Sequence, residues 1–161
     1  MGNKRSPHLR KGSLTPVFFT DRDLGKLVPK LLRQAGIRVE VHSDRFPHDV
    51  KDEVWLTEVG RKGWFCLTHD KRIRYRPNEI AAVMRADVGL FVLVGSATYQ
   101  ELADNFINTL HKVERFVEKH KRPFIAKVSR PTKKLRLSSR KRPGEVRLWL
   151  SYEQWLRRTR G

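Results

Sequence analysis

Five short apolar runs, each followed by a stretch of helical length, restrict this chain to very few folds. They are Val17-Phe18-Phe19, Ile37-Arg38-Val39-Glu40-Val41, Trp64-Phe65-Cys66-Leu67, Val88 to Val94, and Pro123 to Val128. Apart from the alternating Ile37–Val41, these runs are nearly continuous, as strands buried on both faces should be. After the first run, Asp21 to Asp23 can cap a helix over 24–35, with Leu24, Leu27, Val28, Leu31 and Leu32 on one face. Gly36 follows the end of that helix, and Pro29 is its discordant residue. A polar loop over 42–50 leads to a helix over 51–61 with Val54, Trp55 and Val59 on one face. A charged loop spans 68–76, and Pro77 suits the first turn of a helix over 78–85. Thr98 and Glu101 have capping-box spacing and open a long helix reaching about His120. The order βαβαβαβαβ predicts a mainly parallel sheet of about five strands covered by helices on both faces.

The chain has 161 residues and a formal net charge of +18. Its excess lies at the ends. Residues 1–15 form a basic arm of net +4 and residues 129–161 a basic appendage of net +9, leaving 16–128 as the periodic domain. Lys71, Arg72, Arg74, Lys133, Lys134, Arg136, Arg140, Lys141 and Arg142 are the basic residues best placed to grip phosphates. Nucleic acid is the expected partner, because Lys and Arg release condensed counterions from phosphates. No apolar run reaches the roughly 18 residues of a membrane span. No secretory pattern is present at the start, and the single Cys66 cannot form an intramolecular disulfide; both point to the cytoplasm. The apolar piece Val146 to Leu150, with Tyr152, Trp155 and Leu156 behind it, can dock on the core, pair in a dimer or cover a partner.

Against this basic background, Asp21, Asp52, Glu53 and Asp70 stand at or near strand ends. In open α/β sheets the carboxyl ends of the strands face the ligand crevice. Acids gathered there suit Mg²⁺ or Mn²⁺, which prefer oxygen ligands. Each acid also has an ordinary role: Asp21 or Asp23 as a helix cap, Asp52 and Glu53 at the positive end of a helix dipole, and Asp70 in a turn with Lys71 or Arg72. The set His42, His48, His69 and Asp44 matches no standard metal spacing. No Ser/His/Asp triad or phosphate-cradling glycine loop can be argued.

The stretches Phe18-Phe19-Thr20-Asp21-Arg22-Asp23-Leu24-Gly25, Asp52-Glu53-Val54-Trp55-Leu56 and Leu67-Thr68-His69-Asp70-Lys71-Arg72-Ile73-Arg74 resemble the PIN-like domains of VapC-type toxins. The resemblance extends over about residues 16–128. It implies a three-layer α/β/α domain and a Mg²⁺- or Mn²⁺-dependent ribonuclease of the toxin–antitoxin class. By motif, Asp21 matches the first metal-binding Asp, Asp52 or Glu53 the second-helix acid, and Asp70 the acid after the third strand. It further implies RNA as substrate, an antitoxin protein as partner and a homodimer. One departure stands out: Val94-Gly95-Ser96-Ala97-Thr98 offers only hydroxyls where many PIN domains place another acid. A catalytically silent module that binds RNA or protein is the alternative reading.

Overall fold

The computed structural model describes residues 15–133 and 141–160. Residues 1–14 of the basic arm, and Lys134, Arg136 and Arg140, lie outside the described residues. The first strand, β1 (Val17–Thr20), runs into a 3-10 turn over Arg22–Leu24 and helix α1 (Leu27–Gln34). The expected single helix over 24–35 is therefore broken after Leu24. Gly25 turns the chain at φ 63°, and Pro29 falls in the first turn of α1, where its missing N–H breaks no helical bond. Strand β2 (Arg38–Val41) follows. The segment expected as a polar loop begins instead with a short helix, α2 (His42–Arg45), whose first residue is buried.

Helix α3 (Asp52–Arg61) leads to β3 (Phe65–Thr68), and a 3-10 turn over Lys71–Tyr75 leads to α4 (Pro77–Arg85). Val54, expected on the buried face of α3, is 53% exposed; the covered arc is centred on Trp55, Leu56 and Val59. Strand β4 (Gly89–Leu93) is buried throughout. Thr98 and Glu101 form the capping box at the start of α5 (Tyr99–Lys119), and β5 (Phe124–Ser129) ends the parallel series.

The sheet has six strands in the order β2-β1-β3-β4-β5-β6. The additional one, β6 (Glu145–Ser151), pairs antiparallel with β5 and continues into α6 (Tyr152–Arg160). Of the roles open to the Val146–Leu150 piece, docking on the core is the one adopted. From Glu145 onward, the expected appendage is built into the sheet.

Neighbouring residues of one strand feed opposite layers, as the pleat requires. Phe18, Phe91 and Phe124 meet α1 and α5 on one face, while Phe19, Cys66, Leu90 and Ile125 meet α3, α4 and α6 on the other. The steps β3→β4 and β4→β5 go the same way across the sheet. Their helices, α4 and α5, nevertheless lie on opposite faces, so the two crossovers have opposite hands. This leaves Ile125 of β5 without a crossover helix above it. Leu150 and Trp155, from β6 and α6, fill that place.

Candidate functional site

All four acids singled out in the sequence line one cavity of about 220 Å³ at the carboxyl edge of the parallel strands. Asp21 arrives there because its backbone N–H extends the β1–β3 ladder to the Leu67 carbonyl at 3.0 Å. Its Oδ1 accepts from the Arg22 N–H at 2.7 Å, so it is also the cap of the first 3-10 turn. Asp52 and Glu53 occupy the first turn of α3, and both reach the cavity. Asp52 Oδ1 accepts from Trp55 Nε1 at 3.0 Å, and an Arg22 nitrogen stands 3.9 Å from it. Asp70 caps the turn after β3, accepting from the Arg72 N–H at 3.0 Å. Arg72 and Arg76 pair with its two oxygens at 3.1 and 3.3 Å.

Thr68, the buried last residue of β3, links the acids. Its hydroxyl lies 2.9 Å from Asp23 Oδ2 and 3.3 Å from Asp21 Oδ2, while its oxygen accepts from the Asp70 N–H at 3.2 Å. Asp23 is the member of this network that sequence reading treated only as a cap. The His69 N–H also donates to its Oδ2 at 3.0 Å, and its buried Oδ1 has no hydrogen-bond partner among the described residues. The Asp-x-Asp spacing after β1 was the available signal. Asp23 stands behind Asp21 rather than in the cavity wall.

These surroundings separate the acids electrostatically. Burial, the charge of Asp23 and, more weakly, that of Asp52 raise the Asp21 carboxyl to about 6, against the pull of the Arg22 N–H and the Thr68 hydroxyl. Burial also raises Asp23, with Thr68 and His69 opposing it. For Asp70, burial acts upward, but the Arg72 hydrogen bonds and the charges of Arg72 and Arg76 outweigh it and hold the carboxyl low. Thr68→Val removes the hydroxyl from both aspartates. We expect a loss of about 1–3 kcal/mol in urea denaturation and an upward move in the carboxyl titration of Asp21, read by NMR. A carboxyl that titrates as in the parent chain would deny Thr68 this role.

The donor set is oxygen-rich and loose. Among the described residues, no three His, Cys, Asp or Glu side chains cluster as a ready-made metal-binding group. That fits Mg²⁺ or Mn²⁺ better than a closed structural site, since Mg²⁺ keeps several waters and is held by one or two carboxylates. Repulsion among Asp21, Asp23 and Asp52 gives a cation further reason to enter.

The histidines stay apart from this chemistry. His42 is buried among Phe19, Phe46 and Trp55, and burial lowers its pKa. His69 Nδ1 lies 2.6 Å from the Leu93 carbonyl oxygen and must donate to it, which ties the ring to the end of β4. Of the basic residues expected to hold phosphates, Lys71 and Arg72 are exposed beside Asp70, in the turn that also contains Arg74. Lys133, Lys141 and Arg142 are exposed as well. Arg142 lines a second concavity with Lys112, Arg130 and Arg147, beyond the end of β5 and on the same edge of the sheet as the acids. Lys112 and Arg130, contributed from α5 and the segment after β5, were not read as site residues in the sequence.

Fold and site together define an α/β protein with an acidic cleft at the carboxyl edge of a mostly parallel sheet. Residues 16–95 match the family model described as a PIN-like domain, which supports a PIN-like domain in this part of the chain. The match contains β1 to β4 and all four acids of the cleft. Neither the curated proteins nor the solved structures include a significant match. Among the described residues, no helix is long and apolar enough to cross a membrane.

Proposed function

We propose that the chain is a Mg²⁺- or Mn²⁺-dependent endoribonuclease of the VapC toxin type, acting in the cytoplasm. The observation that carries this reading is the convergence of Asp21, Asp52, Glu53 and Asp70 on one cleft inside the PIN-like match. Asp21, Asp70 and either Asp52 or Glu53 hold the cation. A bound cation there supplies Lewis acidity toward a phosphoryl oxygen and makes water easier to deprotonate. Thr68 keeps the Asp21 carboxylate turned to the cleft. Arg72 and Arg76 screen Asp70 until a phosphate competes for them, and Lys71 receives the backbone at the mouth. The Lys112, Arg130, Arg142 and Arg147 concavity takes phosphates further along the strand. In-line attack of water leaves a 5′-phosphate and a 3′-hydroxyl. On this reading, an antitoxin covers the acidic cleft, and two copies of the chain pair as VapC-like domains do.

Cleavage of single-stranded RNA should cease with EDTA and return with Mn²⁺ or Mg²⁺. Purified chain that cuts no tRNA, rRNA or unstructured RNA with either metal would remove the enzyme reading. A silent RNA-binding module is favoured by one observation, the hydroxyl-only segment Ser96-Ala97-Thr98 after β4. Its signature is RNA binding that survives both chelation and Asp70→Asn, because Lys and Arg contacts to phosphate need no metal.

A further inference from the structure

Behind the acids the cavity changes character. Helices α3 and α4 touch at one end, where Gly60 meets the Ala86 carbonyl, and the cavity lies between their N-terminal halves. Leu56 forms one wall, Ala82 and Val83 the other, and Cys66 and Leu90 of the sheet form the floor. Leu56, Val83, Cys66 and Leu90 are each at most 4% exposed, so the space between them is a narrow, dry slot. Ala82 and Cys66 are small side chains at places where a longer one would close the gap. Glu53 and Asn78 stand at its mouth, beside Asp21 and Asp70.

We propose that this slot seats one amino-bearing nucleobase of the bound strand, guanine foremost. The inference rests on the nuclease reading for the strand that delivers the base, and it adds a specificity determinant to that site. Apolar faces above and below with polar groups at one end are the environment in which an extruded base is held. The charge at the mouth selects among bases. Carboxylates only accept, so they favour an edge rich in donors; guanine offers N1–H and its exocyclic amine side by side. Adenine and cytosine each present one amine. Uracil presents two carbonyl oxygens and a single N–H, and its oxygens meet the acids unfavourably. Asn78 can both donate and accept, and completes the reading of the edge.

Nucleosides test the slot without phosphate and without metal. Titration calorimetry of the full chain in EDTA with guanosine, adenosine, cytidine, uridine and ribose should show guanosine binding, uridine about tenfold weaker or more, and ribose undetectable. Ala82→Leu fills the slot from a half-exposed helix position and leaves every acid in place. It should weaken guanosine about tenfold or more while the melting temperature holds or rises. Ala82→Met, with a more flexible side chain, serves as the second filling variant should the leucine lower the melting temperature. Guanosine and ribose binding alike, or guanosine affinity unchanged in a folded filling variant, would overturn the proposal. The two readings fail separately. RNA cleavage that is metal-dependent but blind to base identity sinks the slot and keeps the nuclease, whereas guanosine binding in a chain that cuts nothing does the reverse.

Discussion

Asp21→Asn should lower metal-dependent RNA cleavage by on the order of a thousandfold, since metal-ion charge stabilisation is worth several kcal/mol. The same change should make the metal-free chain more stable. Asn keeps an oxygen for the Arg22 N–H, so the cap survives. It removes a charge that burial and Asp23 oppose. The Asp21 carboxyl titrates at about 6 in the folded chain against 3.8 as its ordinary value. Between these values the folded state holds the extra proton, so this group's contribution falls as pH rises, and the penalty is complete above the folded value. With allowance for its partial exposure to water, the gain on substitution at pH 7 is about 1–2 kcal/mol. Urea denaturation in EDTA at pH 4, 5, 6 and 7 reads both parts: a higher midpoint at pH 7, and a flatter pH dependence. A variant that is less stable at pH 7 and keeps the parent's slope would assign Asp21 to the fold rather than to a cation.

Gly60→Ala should destabilise the chain by about 3 kcal/mol, although alanine in a helix interior ordinarily gains about 1 kcal/mol over glycine. The reversal comes from geometry. A Cβ at Gly60 would lie 1.8 Å from the Ala86 carbonyl oxygen, a backbone atom that cannot swing aside. Helix α3 must then lift from the α4–β4 turn and carry Asp52 and Glu53 with it. Urea denaturation gives the loss directly, and RNA cleavage should fall even in conditions where the variant is folded. A stabilised variant would mean that α3 is free to move, and that the placement of Asp52 and Glu53 does not depend on this contact.

Most of the parallel sheet was legible because its strands are buried on both sides and carry unbroken apolar runs; β4 is the clearest case. Periodicity served less well where an element is short or half covered. The four residues His42–Arg45 contain no apolar repeat, and their helix is held by the seat of His42 against Phe19, Phe46 and Trp55. Val54 looked like part of a stripe, yet the arc of α3 that faces the sheet begins one residue later. The cleft itself followed from topology: acids just beyond parallel strands, or at the start of the helices between them, share an edge. Which contacts each acid makes did not follow, since Arg76 reaches Asp70 from six positions away and Thr68 reaches Asp23 from forty-five. Asp52 and Glu53 both line the cavity, so the choice between them stays where sequence left it. The antiparallel β6 was unreadable for another reason. Its partner is chosen by the uncovered side of β5, a property of the finished sheet.

The opposite hands of the last two crossovers impose an order on synthesis. By the time Asp70 has been made, every acid of the cleft exists. Yet β4 has no outer neighbour until residue 129, and Ile125 has no cover until Trp155. The first half of the chain carries the reactive groups, and the second half carries the closing layers. A ribosome therefore releases the means of cutting well before the means of holding it in shape, and the cleft is completed only when nearly all of the chain has emerged.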